Sequence, residues 1–163
     1  MTEEAPAIFV ALEQSGLGAA VRESAWLYPI ANVGHIVSLV MFAGAVTVMD
    51  VRLLGGFAAT APGRVFMRAR RWTIAGFALM VVTGFFLFTA EASHMIMNPV
   101  FQIKVAIIGV ALANVALFEF VAKRAVIDLA AGAAMPTRAK VAGLLSIGLW
   151  LVAAACGRSI AYF

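Results

Sequence analysis

Residues 27–49 read LYPIANVGHIVSLVMFAGAVTVM, an otherwise uncharged apolar stretch that contains one histidine, His35. A helix needs about 20 such residues to cross a hydrocarbon core of roughly 30 Å. This stretch and the three described below are continuous apolar runs rich in Ala, Leu and Gly, not the alternating runs of about ten residues of a barrel, which argues against strands. In lipid a helix satisfies its backbone groups internally, which an isolated strand cannot do. This segment therefore reads as a transmembrane helix, and His35 as a polar group placed at some cost inside it.

Three further stretches have the same character, at about 72–90, 100–121 and 141–160. The predicted fold is an all-α membrane protein, an up-down bundle of four transmembrane helices. The connections are short, so consecutive helices are expected to be antiparallel neighbours. Residues 26–163 form the transmembrane domain, and residues 1–25 an N-terminal segment lying along the membrane surface. Within that segment Ile8, Phe9 and Leu12 share a helical face, while Gly16 and Gly18 are expected to interrupt it. Pro62 and Gly63 read as turn formers in the loop after the first span.

Composition supports the same class. Of 163 residues, 64% are hydrophobic and 12% charged, against about 45–50% and about 25% in soluble domains. The mean hydropathy is +1.01. The formal charge of +4 is no nucleic-acid signal, because the basic residues flank the spans. Arg52, Arg64, Arg68, Arg70 and Arg71 follow the first span, and Lys123, Arg124, Arg138 and Lys140 follow the third. The loop from Glu91 to Asn98 has neither Lys nor Arg. The positive-inside rule then puts both basic loops in the cytoplasm and both termini in the periplasm of a bacterial inner membrane. Glu3 and Glu4, with no early Lys or Arg, make a poor signal-peptide start. One cysteine, Cys156, allows neither an intramolecular disulfide nor a cysteine metal cluster.

Polar residues inside the spans are the candidates for function. His35 lies about six residues past Pro29, hence about 9 Å below the outer end of its helix. Asn32 and Ser38 stand close to its face, at spacings of three. Lys104 and Arg158 come to the same half of the membrane because the helices alternate direction. They either snorkel, pair with Glu91 or Glu23, or counter an anionic ligand. His35 could be an axial haem b ligand, a metal ligand or a hydrogen-bond partner for a quinone. His94, Met95 and Met97 in the outer loop offer an imidazole and two thioethers, the donor types that suit Cu(I). In the other half, Asp50 with Arg52 and Glu119 with Lys123 read as interfacial caps with local ion pairs. Asn114 reads as an interhelical hydrogen bond. Trp26, Tyr28, Trp72 and Tyr162 form an interfacial belt, and Phe85, Phe86 and Phe88 could line an apolar pocket. No Walker loop, H-E-x-x-H or G-x-S-x-G occurs, which argues against a hydrolase or nucleotide enzyme.

The run from Arg22 to Pro29, then His35, Gly44 and Asp50-Val51-Arg52-Leu53-Leu54-Gly55, resembles a family of small, uncharacterised bacterial four-helix membrane proteins. Asn98-Pro99-Val100-Phe101 with Lys104, and Gly157 to Tyr162, carry the same resemblance. Spans two to four, with Thr83-Gly84 ahead of a Lys-bearing third span, are more loosely similar to the membrane domain of copper-resistance D proteins. The four-helix plan also resembles small b-type cytochromes, whose paired transmembrane histidines hold haem; here His35 alone lies within a span. The expected function is binding of haem b or a quinone around His35, linked to electron transfer. Copper binding through His94, Met95, Met97 and His35 is the alternative, and a structural subunit of a larger complex the second. Lipid, a membrane redox partner and a second copy of the chain are the expected partners.

Overall fold

A computed structural model of the chain describes residues 5–162, so Glu3 and Glu4 lie outside the described residues. Eight α-helices occur in chain order: α1 (Ala7–Glu13), α2 (Gly16–Glu23), α3 (Leu27–Leu53), α4 (Pro62–Ala90), α5 (Ala92–Met97), α6 (Pro99–Leu117), α7 (Lys123–Ile127) and α8 (Thr137–Ser159). A π-helical turn, Phe118–Ala122, fuses α6 to α7. The described residues contain no strand. Four helical units, Leu27–Leu53, Pro62–Ala90, Pro99–Ile127 and Thr137–Tyr162, are long and apolar enough to cross a membrane. This is an all-α, multi-pass membrane protein.

The helices outrun the apolar stretches. α4 begins at Pro62, ten residues before Trp72, and Pro62 is its first residue instead of a loop residue. Proline suits that position because its missing N–H has no intrahelical partner there and its φ is already helical. The N-terminal segment breaks at Gln14 and Ser15, not at the glycines. The Ser15 hydroxyl accepts from the Gly18 N–H at 3.2 Å and caps α2. Gly16 and Gly18 are thus helical, and Gly18 is needed for proximity: an added Cβ would lie 2.4 Å from the Glu13 carbonyl oxygen and 2.8 Å from that of Thr89. The Asn98 side-chain oxygen caps α6, accepting from the N–H groups of Val100 and Phe101 at 2.9 and 3.2 Å.

α1 and α2 pack on the end of α4 and on α5. The Glu13 carboxylate accepts from the Ser93 N–H at 2.8 Å and from the Ser93 hydroxyl. Arg22 donates to the Ala90 carbonyl at 3.2 Å, satisfying an orphan acceptor at the α4 C-terminus. Phe9 meets Phe88 edge-on with ring centroids 5.9 Å apart. At the opposite end, which carries the basic loops, the Gly132 N–H donates to the Ala58 carbonyl at 2.7 Å and joins the two loops.

The packing order is that of an up-down bundle, with the contact between its second and third spans the loosest. α3 packs along α4 and also along α8, and α8 packs along α6. Gly76 and Gly143 set these approaches: a Cβ on Gly76 would sit 2.8 Å from the Phe42 N, and one on Gly143 would sit 3.0 Å from the Leu53 Cβ. Consecutive α4 and α6 make no comparable contact along their lengths. They are joined near the two ends instead. Phe88 stacks on Phe101 at 5.4 Å near one end. Phe66 stacks on Phe118 at 5.6 Å, and Glu119 pairs with Arg70 of α4 and with Lys123 at the basic end. Between those ends the two helices stand apart.

Candidate functional site

A cavity of about 300 Å³ is walled by α3, α4, α6 and α8. Its lining is mostly apolar, with a few polar side chains, the usual composition of a small-molecule site. Phe42, Phe77 and Trp150 form an aromatic corner; Trp150 meets Phe42 edge-on at 4.6 Å and Phe77 at 6.2 Å. Asp50, Asn114 and Ser146 bring polarity to the same space.

Asp50 and Trp150 give the cavity its chemistry. Asp50 is 5% exposed, and its Oδ2 has no hydrogen-bond partner; neither has the Trp150 Nε1. Buried polar groups without partners are rare and cost about 1–3 kcal/mol each. Here an acceptor and a donor without partners belong to two residues that line one cavity. Ser146 of α8, itself buried, is the hydroxyl that comes up to the Asp50 carboxyl. Asn114 spends its amide on the Ala142 carbonyl at 3.0 Å, the interhelical bond expected of it. Thr73 donates to its own helix at Ala69, 3.2 Å away. The π-helical turn puts Phe118 and Glu119 at the margin of the same space, and such turns recur at functional sites.

The sequence reading treated Asp50 and Arg52 as interfacial caps in local ion pairs. The structure corrects this. Two residues apart on a helix, they point to different sides. Arg52 is 1% exposed and gives its Nε–H to the Thr60 carbonyl at 3.1 Å, with Nη2 unpartnered. Neither residue appears in the ion pairs of the described residues. Glu119 does pair with Lys123, as expected, and with Arg70 as well.

The residues singled out from sequence sit in the other half of the bundle and are only partly gathered. The His35 Nδ1 is 3.0 Å from the Thr83 Oγ1 of α4. Ser38 is buried and donates to the His35 carbonyl, so its hydroxyl serves its own helix. Asn32 is exposed. The Lys104 ammonium packs against Gly157 of α8. Arg158 folds over the Tyr162 ring, 4.7 Å from its centroid, and bonds its hydroxyl. Lys104 and Arg158 make no ion pair with Glu91 or Glu23 among the described residues. On α5 His94 is exposed, whereas Met95 and Met97 are half-buried. Met97 shares a face with His94 at a spacing of three, while Met95 turns away. No three His, Cys, Asp or Glu side chains come together among the described residues. Phe85 and Phe86 are exposed and line no pocket described here, while Phe88 packs between Phe9 and Phe101.

A family model described as a family of unknown function, DUF6644, matches residues 9–163. The chain belongs to the DUF6644 family. The match includes the four membrane-crossing units, the cavity and the His35–Thr83 pair. No curated protein matches the chain, and no solved structure does.

Proposed function

We propose that this DUF6644 protein binds a lipid-soluble ligand with a polar ring, of the quinone or quinol class, in the cavity between α4 and α6. The observation that carries this reading is the pair of buried, unpartnered groups, Asp50 Oδ2 and Trp150 Nε1, on two residues that line one aromatic-walled space. A ring carbonyl accepts from the indole N–H. The second carbonyl oxygen of a quinone accepts from Asp50 when the carboxyl is protonated, and a quinol hydroxyl donates to the carboxylate when it is ionised. Phe42 and Phe77 supply flat apolar surface for the ring. The separation of α4 and α6 gives a route from the bilayer, which suits a ligand that arrives with a hydrocarbon tail. In this reading the protein resides in a bacterial inner membrane, its basic loops in the cytoplasm.

The test is a titration of the detergent-solubilised protein with a short-tailed benzoquinone, followed by tryptophan fluorescence. Saturable quenching is expected, absent in Trp150→Phe and about tenfold weaker in Asp50→Asn, the loss of about one hydrogen bond. Quenching that rises linearly with quinone and is unchanged in both variants would mean simple partitioning and would refute the site.

A second reading attaches to His35. The Thr83 hydroxyl lies 2.7 Å from the Leu79 carbonyl; with its proton directed there, the histidine Nδ1 donates to Thr83 and Nε2 keeps its lone pair. That lone pair suits an axial bond to haem b. A haem absorption band in protein purified from haem-supplemented cells, lost in His35→Ala, is the expected result under this reading; a colourless protein overturns it.

A further inference from the structure

A second concavity lies on a different face of α3 and α4 at the basic end, a groove of about 760 Å³ that shares no lining residue with the cavity above. Its two ends differ in chemistry. Along α3 the floor is Met41, Gly44, Ala45 and Val48, all within a membrane-crossing helix. Nothing lies within 4 Å of the position a Gly44 Cβ would take, so the floor is open there. At the mouth stand Arg64, Arg68 and Arg71. Their spacing of four and three places them in one stripe down α4.

These three guanidinium groups are exposed and are absent from the ion pairs of the described residues. Their neighbour Arg70 turns the other way, to Glu119. No Asp or Glu lines the groove. Arg71 lies 5.5 Å from the centroid of the Trp72 ring, the arrangement of an interfacial indole beside a cation. Phe57, 55% exposed at the rim, holds a φ of 51°. A bulky residue in that region is strained and is kept there by its surroundings.

We propose that this groove holds an anionic phospholipid, its phosphate on Arg64, Arg68 and Arg71 and one acyl chain along Met41, Gly44, Ala45 and Val48. Charge complementarity supplies the headgroup half: guanidinium forks match phosphate oxygens, and no carboxylate competes. The apolar floor supplies the other half. It rewards a hydrocarbon chain and gives nothing to free phosphate. The site is independent of the ligand cavity, and its occupant comes from the leaflet next to the basic loops.

Native mass spectrometry of the full chain in detergent, with phosphatidylglycerol or phosphatidylcholine added in equal excess, tests this. One phosphatidylglycerol is expected to be retained at least about tenfold better than phosphatidylcholine, because basic groups at the surface attract anionic headgroups. The combined substitution Arg64→Gln, Arg68→Gln and Arg71→Gln should abolish the preference. Removing the same charge elsewhere, by Arg124→Gln, Arg138→Gln and Lys140→Gln, should preserve it. Gly44→Leu should weaken phosphatidylglycerol retention with every arginine in place. Equal retention of both lipids, or equal loss in the two triple variants, would overturn the proposal. So would an unaffected Gly44→Leu protein whose lipid is displaced by inorganic phosphate.

Discussion

His35 is held across the α3–α4 interface by Thr83, with Nδ1 3.0 Å from Oγ1, and the Thr83 hydroxyl also lies 2.7 Å from the Leu79 carbonyl. The bond ties the ring to the facing helix. Gly84 leaves room beside it, since a Cβ there would stand 3.1 Å from the His35 Cε1. A double-mutant cycle of His35→Ala and Thr83→Val in detergent unfolding should give a coupling of about 0.6–1.7 kcal/mol, the range of interhelical hydrogen bonds in membranes. Strict additivity would show that the two side chains are neighbours without an interaction.

The docking of α1 and α2 should depend on pH through Glu13. Hydrogen bonds from the Ser93 hydroxyl and then its backbone N–H, with Arg22 nearby, hold the Glu13 carboxyl below its usual value of 4.5. A depressed folded-state pKa gives stability that is present above the unfolded value and lost as pH falls through the folded one. Hydrogen exchange or proteolysis within residues 5–25 should therefore accelerate as pH drops below the ordinary carboxylate range. In Glu13→Gln that acceleration should vanish, with exchange faster than wild type already at neutral pH.

Gly18 makes the same docking possible sterically. With Cβ positions 2.4 and 2.8 Å from two carbonyl oxygens of the backbone, Gly18→Ala cannot be accommodated by a side-chain rotation. The expected result is release of α2 from α4, with a loss of about 1–3 kcal/mol as for overpacking. Thermal unfolding and exposure of the N-terminal segment to protease measure it. Gly16→Ala, where nothing lies within 4 Å, should be neutral or slightly stabilising.

The four crossings were legible because membrane segments are written in local composition, and residues 27–49 alone nearly decide the class. The helix ends were less so. Arg64, Arg68 and Arg71 read as loop by charge, whereas their spacing is a helical stripe continuous with α4. The cavity was not legible, since it depends on which helices meet. A short connection predicts that α4 and α6 are neighbours, but Gly143 and Gly76 draw α8 and α4 onto α3 and leave the α4–α6 seam apart. Asp50 consequently looks like a cap at the end of an apolar run, although it is buried beside Ser146. The available signal was a lone acid inside α3 together with Asn114 and Ser146, polar residues within α6 and α8.

The last prediction separates the cost of Asp50 from its use. A buried carboxylate oxygen without a partner destabilises the unliganded protein, and a shape-matched apolar residue removes that penalty. Asp50→Leu should therefore raise unfolding stability by about 1–3 kcal/mol in detergent without ligand. The same substitution should abolish saturable quinone quenching, because the second ring oxygen loses its partner. Asp50→Asn, which keeps a polar atom in place, should change stability less and weaken binding without abolishing it. A destabilised Asp50→Leu protein would mean that Asp50 is satisfied within the fold, by Ser146 or by water, and is structural. The stabilised but non-binding variant is the signature of a residue retained for a ligand.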